Sequence, residues 1–153
     1  MMSQLKSLFH CNINVTNLDV SLPFYEMIGF KVIIDFRDGM SSPLLAQALG
    51  LSHAVLRGVH LSADGDPGKT RIDLVEFQDP VTEGKPYPHL YHTGINRVSI
   101  RVDNLRELYE NLKSQGVQFL SEPITLPGTK DFTFVCFPDP DGTILQFVEG
   151  DLS

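Results

Sequence analysis

NINVTNLDVSLPFYEMIGF, residues 12–30, and SIRVDNLRELYENLKSQGV, residues 99–117, are two versions of one pattern. Val15 and Val102 lie 87 residues apart, as do Ile13 and Ile100, and Gly29 and Gly116. Asn17-Leu18 falls on Asn104-Leu105 in the same register, and each version closes alike, with IDLVE at 72–76 matching LQFVE at 145–149. Such a repeat predicts two half-domains of one design and a pseudo-two-fold cavity lined by equivalent positions. There, His10 stands against Arg97 and Asp73 against Gln146. The halves agree in pattern and disagree in chemistry.

Around that stretch the elements repeat. The opening strand, about residues 8–15, alternates His10, Asn12 and Asn14 with Cys11, Ile13 and Val15; its copy alternates Arg97, Ser99 and Arg101 with Val98, Ile100 and Val102. One face is apolar and suits a covering helix, while the polar face suits either a cavity or solvent. Recurrence in both copies favours the cavity. Leu105, Leu108, Tyr109 and Leu112 form a helical stripe capped by Asp103 or Asn104 and ended by Gly116. The first helix, with Leu22, Tyr25 and Ile28, runs from an Asn17 cap to Gly29, and Pro23 is expected to delay its start to Asp19 or Val20.

Strands are expected at 30–36, 53–62 and 70–77 in the first copy, and at 117–121, 132–137 and 143–149 in the second. The expected class is therefore α+β: two tandem βαβββ modules forming a partly open, mixed β-barrel-like cavity within a single domain, 1–153. Module one covers about 7–77 and module two about 94–149, with a linker at 78–93 marked by Pro80, Gly84, Pro86 and Pro88. Only the first copy carries an insertion, Arg37–Ser52, in which Ser42-Pro43 predicts a short helix ended by Gly50. It is either a lid that sets specificity or a plain surface excursion.

Bulk properties narrow the function class. A chain of 153 residues buries a sizeable core as one unit, where either half alone is marginal. A net charge of −7 argues against nucleic acid and membrane surfaces as partners. No apolar run approaches spanning length, and MMSQLKSLFH lacks the apolar core of a signal peptide, so a cytoplasmic location is expected. Cys11 and Cys136 sit in apolar strand patterns and are expected to be buried, inert thiols. Phe9, Phe24, Phe30, Phe132, Phe134 and Phe147 read mostly as core. No phosphate loop, dinucleotide fingerprint or nucleophile elbow occurs.

HCNINVTNLDVSLPFYEMIGF, GINRVSIRVDNL and FPDPDGTILQFVE, taken in order, resemble the vicinal oxygen chelate superfamily, from about His10 to Glu149. That group includes glyoxalase I, methylmalonyl-CoA epimerase, extradiol dioxygenases, thiol transferases that inactivate fosfomycin, and bleomycin-sequestering proteins. The long 36–61 segment followed by IDLVEFQDP is most similar to the epimerase-like branch. The resemblance implies a small-molecule partner and a homodimer. In metal-dependent members, four inward positions supply His, Glu or Gln, His and Glu. Here they fall on His10, Asp73, Arg97 and Gln146.

Arg97 weighs against the metal, because a guanidinium has no lone pair and repels a cation. No cofactor is expected; a divalent metal, if bound, would use His10, Asp73 and Gln146. His89 and His92, just upstream, either restore a ligand or are exposed loop residues. Arg97 itself has two readings. It grips a carboxylate or enolate oxygen, with Asp73 as base, His10 as acid or shuttle, and Gln146, Asn12 and Ser99 as substrate-binding groups. Alternatively it forms an inert ion pair with Asp73. Glu76 and Glu149 fall on the opposite strand face and are assigned a role outside the cavity.

The functions implied are an isomerase, epimerase, cyclase or lyase acting on a small organic anion or carbonyl compound through an enolate-like intermediate. The alternatives are a non-catalytic sequestering protein and a metal-dependent lyase, epimerase or dioxygenase.

Overall fold

A computed structural model describes residues 1–152 and divides the chain into two compact units, Met1–Gly84 and Lys85–Ser153. The first unit runs β1 (His10–Asn14), α1 (Leu18–Met27), β2 (Phe30–Asp35), β3 (Met40–Ser41), α2 (Pro43–Ala48), β4 (Val55–Ala63) and β5 (Arg71–Asp79). Its sheet has the order β1-β5-β4-β2, with β3 paired to β4. β1 is parallel to β5 and the other pairs are antiparallel. The second unit runs β6 (Val98–Arg101), α3 (Leu105–Ser114), β7 (Ile124–Thr125), β8 (Lys130–Pro138) and β9 (Ile144–Asp151), in sheet order β6-β9-β8-β7. β6 is parallel to β9. Both units are mixed sheets with a helix on one face, and neither closes into a barrel.

The apolar face of each sheet holds the core expected from the alternation. Ile13, Val15, Val59, Leu61, Ile72 and Leu74 are buried together with Leu18, Leu22, Tyr25 and Ile28 of the first helix segment. Leu105, Tyr109 and Leu112 are buried with Val135, Phe137, Leu145 and Phe147. Each such side chain contributes on the order of 2 kcal/mol of transfer free energy.

The helix starts repay comparison with expectation. α1 begins at Leu18 and contains Pro23, so the expected delay does not occur. Its first turn is held from two sides: Asn17 accepts from the Asp19 N–H, and Glu76 on β5 accepts from the Leu18 N–H at 2.7 Å. In the second unit Glu149 on β9 accepts from the Asn104 and Leu105 N–H groups at 2.9 and 3.3 Å. Asn104 occupies the cap position in a left-handed conformation without a side-chain cap bond, and the carboxylate does the capping instead. The matched glutamates therefore belong to the helix-facing side, where they tie each helix to the last strand of its own sheet.

Other expectations need correction. Residues 117–121 form no strand. After α3 the Val117 N–H returns to the Leu112 carbonyl and only the Leu120 N–H reaches β8, at Cys136. Pro123 lacks an N–H, and pairing starts at Ile124. Phe9 is 63 % exposed, Phe24, Phe132 and Phe134 are half-buried, and only Phe30 and Phe147 of the named phenylalanines are core. Cys11 is half-buried while Cys136 is buried, and both are free thiols. The insertion forms β3 and α2, whose Ser42 cap accepts from the Leu45 N–H. No helix among the described residues is long and apolar enough to cross a membrane.

Candidate functional site

The polar face of the first sheet is set by strand register. Asn12 on β1 pairs with Asp73 on β5, and Asp73 pairs with His60 on β4. This row gathers around one carboxylate. The Asn12 Nδ2 donates to Asp73 Oδ2 at 3.0 Å, His60 Nε2 lies 3.4 Å from Oδ1, and His10 Nε2 lies 3.9 Å from Oδ2. The side chains are 15 % exposed for Asp73, 16 % for His60 and 31 % for His10. The two imidazoles meet edge-on, and the Phe36 ring also meets His60 edge-on. Gly58 makes room for that ring: a Cβ there would strike the Leu74 carbonyl and Phe36. Burial holds the His60 imidazole below its usual pKa, with His10 and Arg71 adding to the effect and Asp73 opposing it. A neutral imidazole beside a carboxylate suits proton transfer.

The equivalent row of the second unit is Ser99 on β6, Gln146 on β9 and Cys136 on β8. Gln146 is buried, and its Oε1 accepts from Arg97 Nε at 2.5 Å and from Ser99 Oγ at 3.2 Å. Arg97 also donates to Asn96 Oδ1 at 2.9 Å. Both partners are neutral, so within this unit the guanidinium keeps its full charge. Burial raises the Cys136 thiol pKa, although Arg97 opposes the shift, and the thiol stays protonated.

The structure thus groups His10, Asn12 and Asp73 in one unit, and Arg97, Ser99 and Gln146 in the other. His60 was missed, although its signal was legible: it stands between Val59 and Leu61 in an expected strand, on the polar parity. Glu76 and Glu149 are structural. His89 and His92 are exposed and stack against Tyr91 and Tyr87, with ring centroids 4.8 and 5.1 Å apart.

Within the second unit, Arg97 and Gln146 do not suit a metal ion. Arg97 has no lone pair, and the Gln146 oxygen already accepts two hydrogen bonds. Among the described residues no group of three or more His, Cys, Asp or Glu side chains is arranged to hold a metal ion.

The family model described as Glyoxalase/Bleomycin resistance protein/Dioxygenase superfamily matches residues 7–147. Among solved structures, a glyoxalase family protein from Bacillus cereus is similar with a TM-score of 0.82 at 19 % identity, covering 98 % of this chain and 99 % of that one. A glyoxalase family protein from Enterococcus faecalis gives 0.64 at 20 % identity, over 94 % and 98 % of the two chains. The trypanothione-dependent glyoxalase I of Leishmania major gives 0.62 at 23 % identity, over 95 % and 87 %. At these identities the likeness establishes the fold. No curated protein matches.

Proposed function

The chain belongs to the Glyoxalase/Bleomycin resistance protein/Dioxygenase superfamily, and from that premise we propose that it is an enzyme acting on a small carboxylate or carbonyl compound through an enolate-like intermediate. The observation that supports this most is the carboxylate of Asp73, half-buried, oriented by Asn12 and flanked by two imidazoles. In this reading Asp73 takes a proton from a carbon next to a carbonyl or carboxylate group. The C–H electron pair moves into an enolate, whose oxygen needs N–H donors or a cation beside it; Arg97, in the second unit, is proposed as an anion-binding residue with guanidinium N–H groups to offer. His10 or the protonated Asp73 returns a proton to carbon or oxygen, giving isomerisation or epimerisation with no net change in protons. Gln146 holds the Arg97 side chain for this task, and His60 orients the Asp73 carboxylate.

The protein acts as a homodimer in this proposal, as the resemblance implies, and sedimentation velocity tests it.

Hydrogen exchange tests the chemistry without knowledge of the substrate. The protein is mixed in heavy water with small 2-oxo and 2-hydroxy acids, and C–H to C–D exchange is followed by NMR. Exchange should occur with at least one compound and fall about a hundredfold or more in Asp73→Asn. Arg97→Ala should weaken binding or turnover strongly while the fold stays intact. Ligand binding that survives in Asp73→Asn, with no exchange in either protein, would assign a sequestering function instead.

A further inference from the structure

We propose that the polar face of the first unit carries an oxyanion site built on Arg71 and Ser62, which takes the carboxylate or phosphate group of a small molecule. Five buried side-chain polar atoms lack a hydrogen-bond partner among the described residues: His10 Nδ1, His60 Nδ1, Ser62 Oγ, Arg71 Nε and Asp73 Oδ1. All five belong to β1, β4 and β5 of the first unit, on one sheet face. Buried polar groups in native proteins are nearly always paired, so such a concentration marks a place where something else supplies the partners.

Two of the five differ from the Asp73 cluster. Arg71 pairs with His10 across the β1–β5 ladder, and Ser62 pairs with Lys31 across the β2–β4 ladder. The β4–β5 ladder ends at Leu61 and Ile72, and continuing its register by one step sets Ser62 opposite Arg71. The four strands thus present a row of His10, Arg71, Ser62 and Lys31, with two cations, a hydroxyl and an imidazole but no carboxylate. Ser62 is fully buried. The Arg71 guanidinium lies 4.8 Å from the centroid of the Phe9 ring and gives one N–H to the Pro67 carbonyl at 2.8 Å, and no carboxylate among the described residues forms an ion pair with it.

Arg71 Nε and Ser62 Oγ are both donors in search of an acceptor, and an oxyanion accepts from both. In the second unit the corresponding row holds Arg97, Ile144 and Pro138, with Pro138 paired to Ile144. The site is therefore peculiar to the first unit and no by-product of the repeat.

Asp73 lies two residues along β5 from Arg71, about 7 Å at strand rise. An anion held at Arg71 then presents the rest of its molecule to Asp73 and His60. Only this last consequence rests on the proposed function, so binding is measured apart from exchange.

Inorganic phosphate and glycolate are each titrated by calorimetry into the Arg97→Ala protein, which removes the other candidate anion contact. Saturable binding is expected, weakened about tenfold or more by Ser62→Ala, the loss of one hydrogen bond to a charged group, and abolished by Arg71→Met. The tighter of the two anions identifies the group recognised. Ser62→Ala should also keep or raise the Tm, because a methyl replaces an unpartnered buried hydroxyl. Failure of both anions to bind would overturn the proposal, as would binding indifferent to Ser62→Ala or a lower Tm in that variant. If Arg71→Met fails to fold, Ser62→Ala decides alone. Anion binding without hydrogen exchange would count against the proposed function only.

Discussion

Asn12–Asp73–His60 in the first unit and Ser99–Gln146–Cys136 in the second occupy the same three strand positions, yet they differ in every side chain. The first row is ionisable and under-bonded; the second is neutral, and its central oxygen accepts two hydrogen bonds. On the opposite faces the units agree: Glu76 and Glu149 each accept backbone N–H groups at the start of the helix that covers their sheet. The difference teaches which part of a duplicated module is free to diverge. The helix-facing side must keep its caps and core for either sheet to fold, whereas the other face is released from that constraint and can take on separate chemistry.

The largest expected effect breaks the comparison where the rings differ. Gly58 pairs with Val75 and leaves room for Phe36, while its counterpart Phe134 pairs with Val148 and fills its own space. Gly58→Ala should cost about 3 kcal/mol, since backbone and a packed ring would both have to yield. Phe134→Leu should cost about 1 kcal/mol, because the site is half-buried. Urea denaturation compares them, and equal losses would show that the first sheet tolerates a Cβ by shifting β4.

The caps come next. Glu76 caps α1 and also binds Arg57 through Nε and Nη2 at 3.2 and 2.9 Å, and Arg57 reaches Asp19 as well. Glu149 shows only the capping bonds. Glu76→Gln should therefore lower stability by about 2 kcal/mol and Glu149→Gln by about 1 kcal/mol. A larger loss at Glu149 would mean that the Arg57 network contributes little.

A smaller effect follows from making the second row resemble the first. Gln146→Glu gives Arg97 a carboxylate partner and removes its free charge. With the first unit's anion contact removed by Arg71→Met, affinity for a carboxylate ligand should drop about tenfold, the scale of one charge-assisted bond. Calorimetry checks it, and unchanged affinity would place the anion contact elsewhere than Arg97.

These contrasts also mark what could be read from the chain. The repeat register located both sheets, both helices and the matching positions of Asp73 and Gln146 within their own sheets, because period-two alternation and helix caps are local signals. The α1 start was misread since Pro23 is a local signal too, and the tertiary bond from Leu18 to Glu76 is not. A strand was expected at 117–121 on pattern alone, where ladder pairing depends on a partner that sequence does not display. The strand parity of His60 is legible in the chain, but its place opposite Asp73 is a fact of register between strands. The orphaned atoms of Arg71 and Ser62 were beyond reach for the same reason: a missing partner is visible only when all the neighbours are in place.

The smallest expected effect is a pH dependence that belongs to one unit. Burial lowers the His60 pKa in the folded protein, against the partial compensation of Asp73 and with His10 and Arg71 adding to the shift. Above the ordinary histidine value of about 6.5 the imidazole is neutral in both folded and unfolded chains, and its burial carries no proton penalty. As pH falls below that value the unfolded chain takes up the proton first, so stability declines with falling pH until the folded protein is protonated too. His60→Gln cannot titrate and should flatten this slope between about pH 7 and pH 5 in urea-midpoint measurements. Cys136→Ser, at the counterpart position, should leave the slope unchanged, because burial raises that thiol pKa away from this range. If stability instead rises on acidification and His60→Gln removes the rise, the Asp73 carboxylate outweighs desolvation, and His60 enters the site as an imidazolium rather than a neutral base.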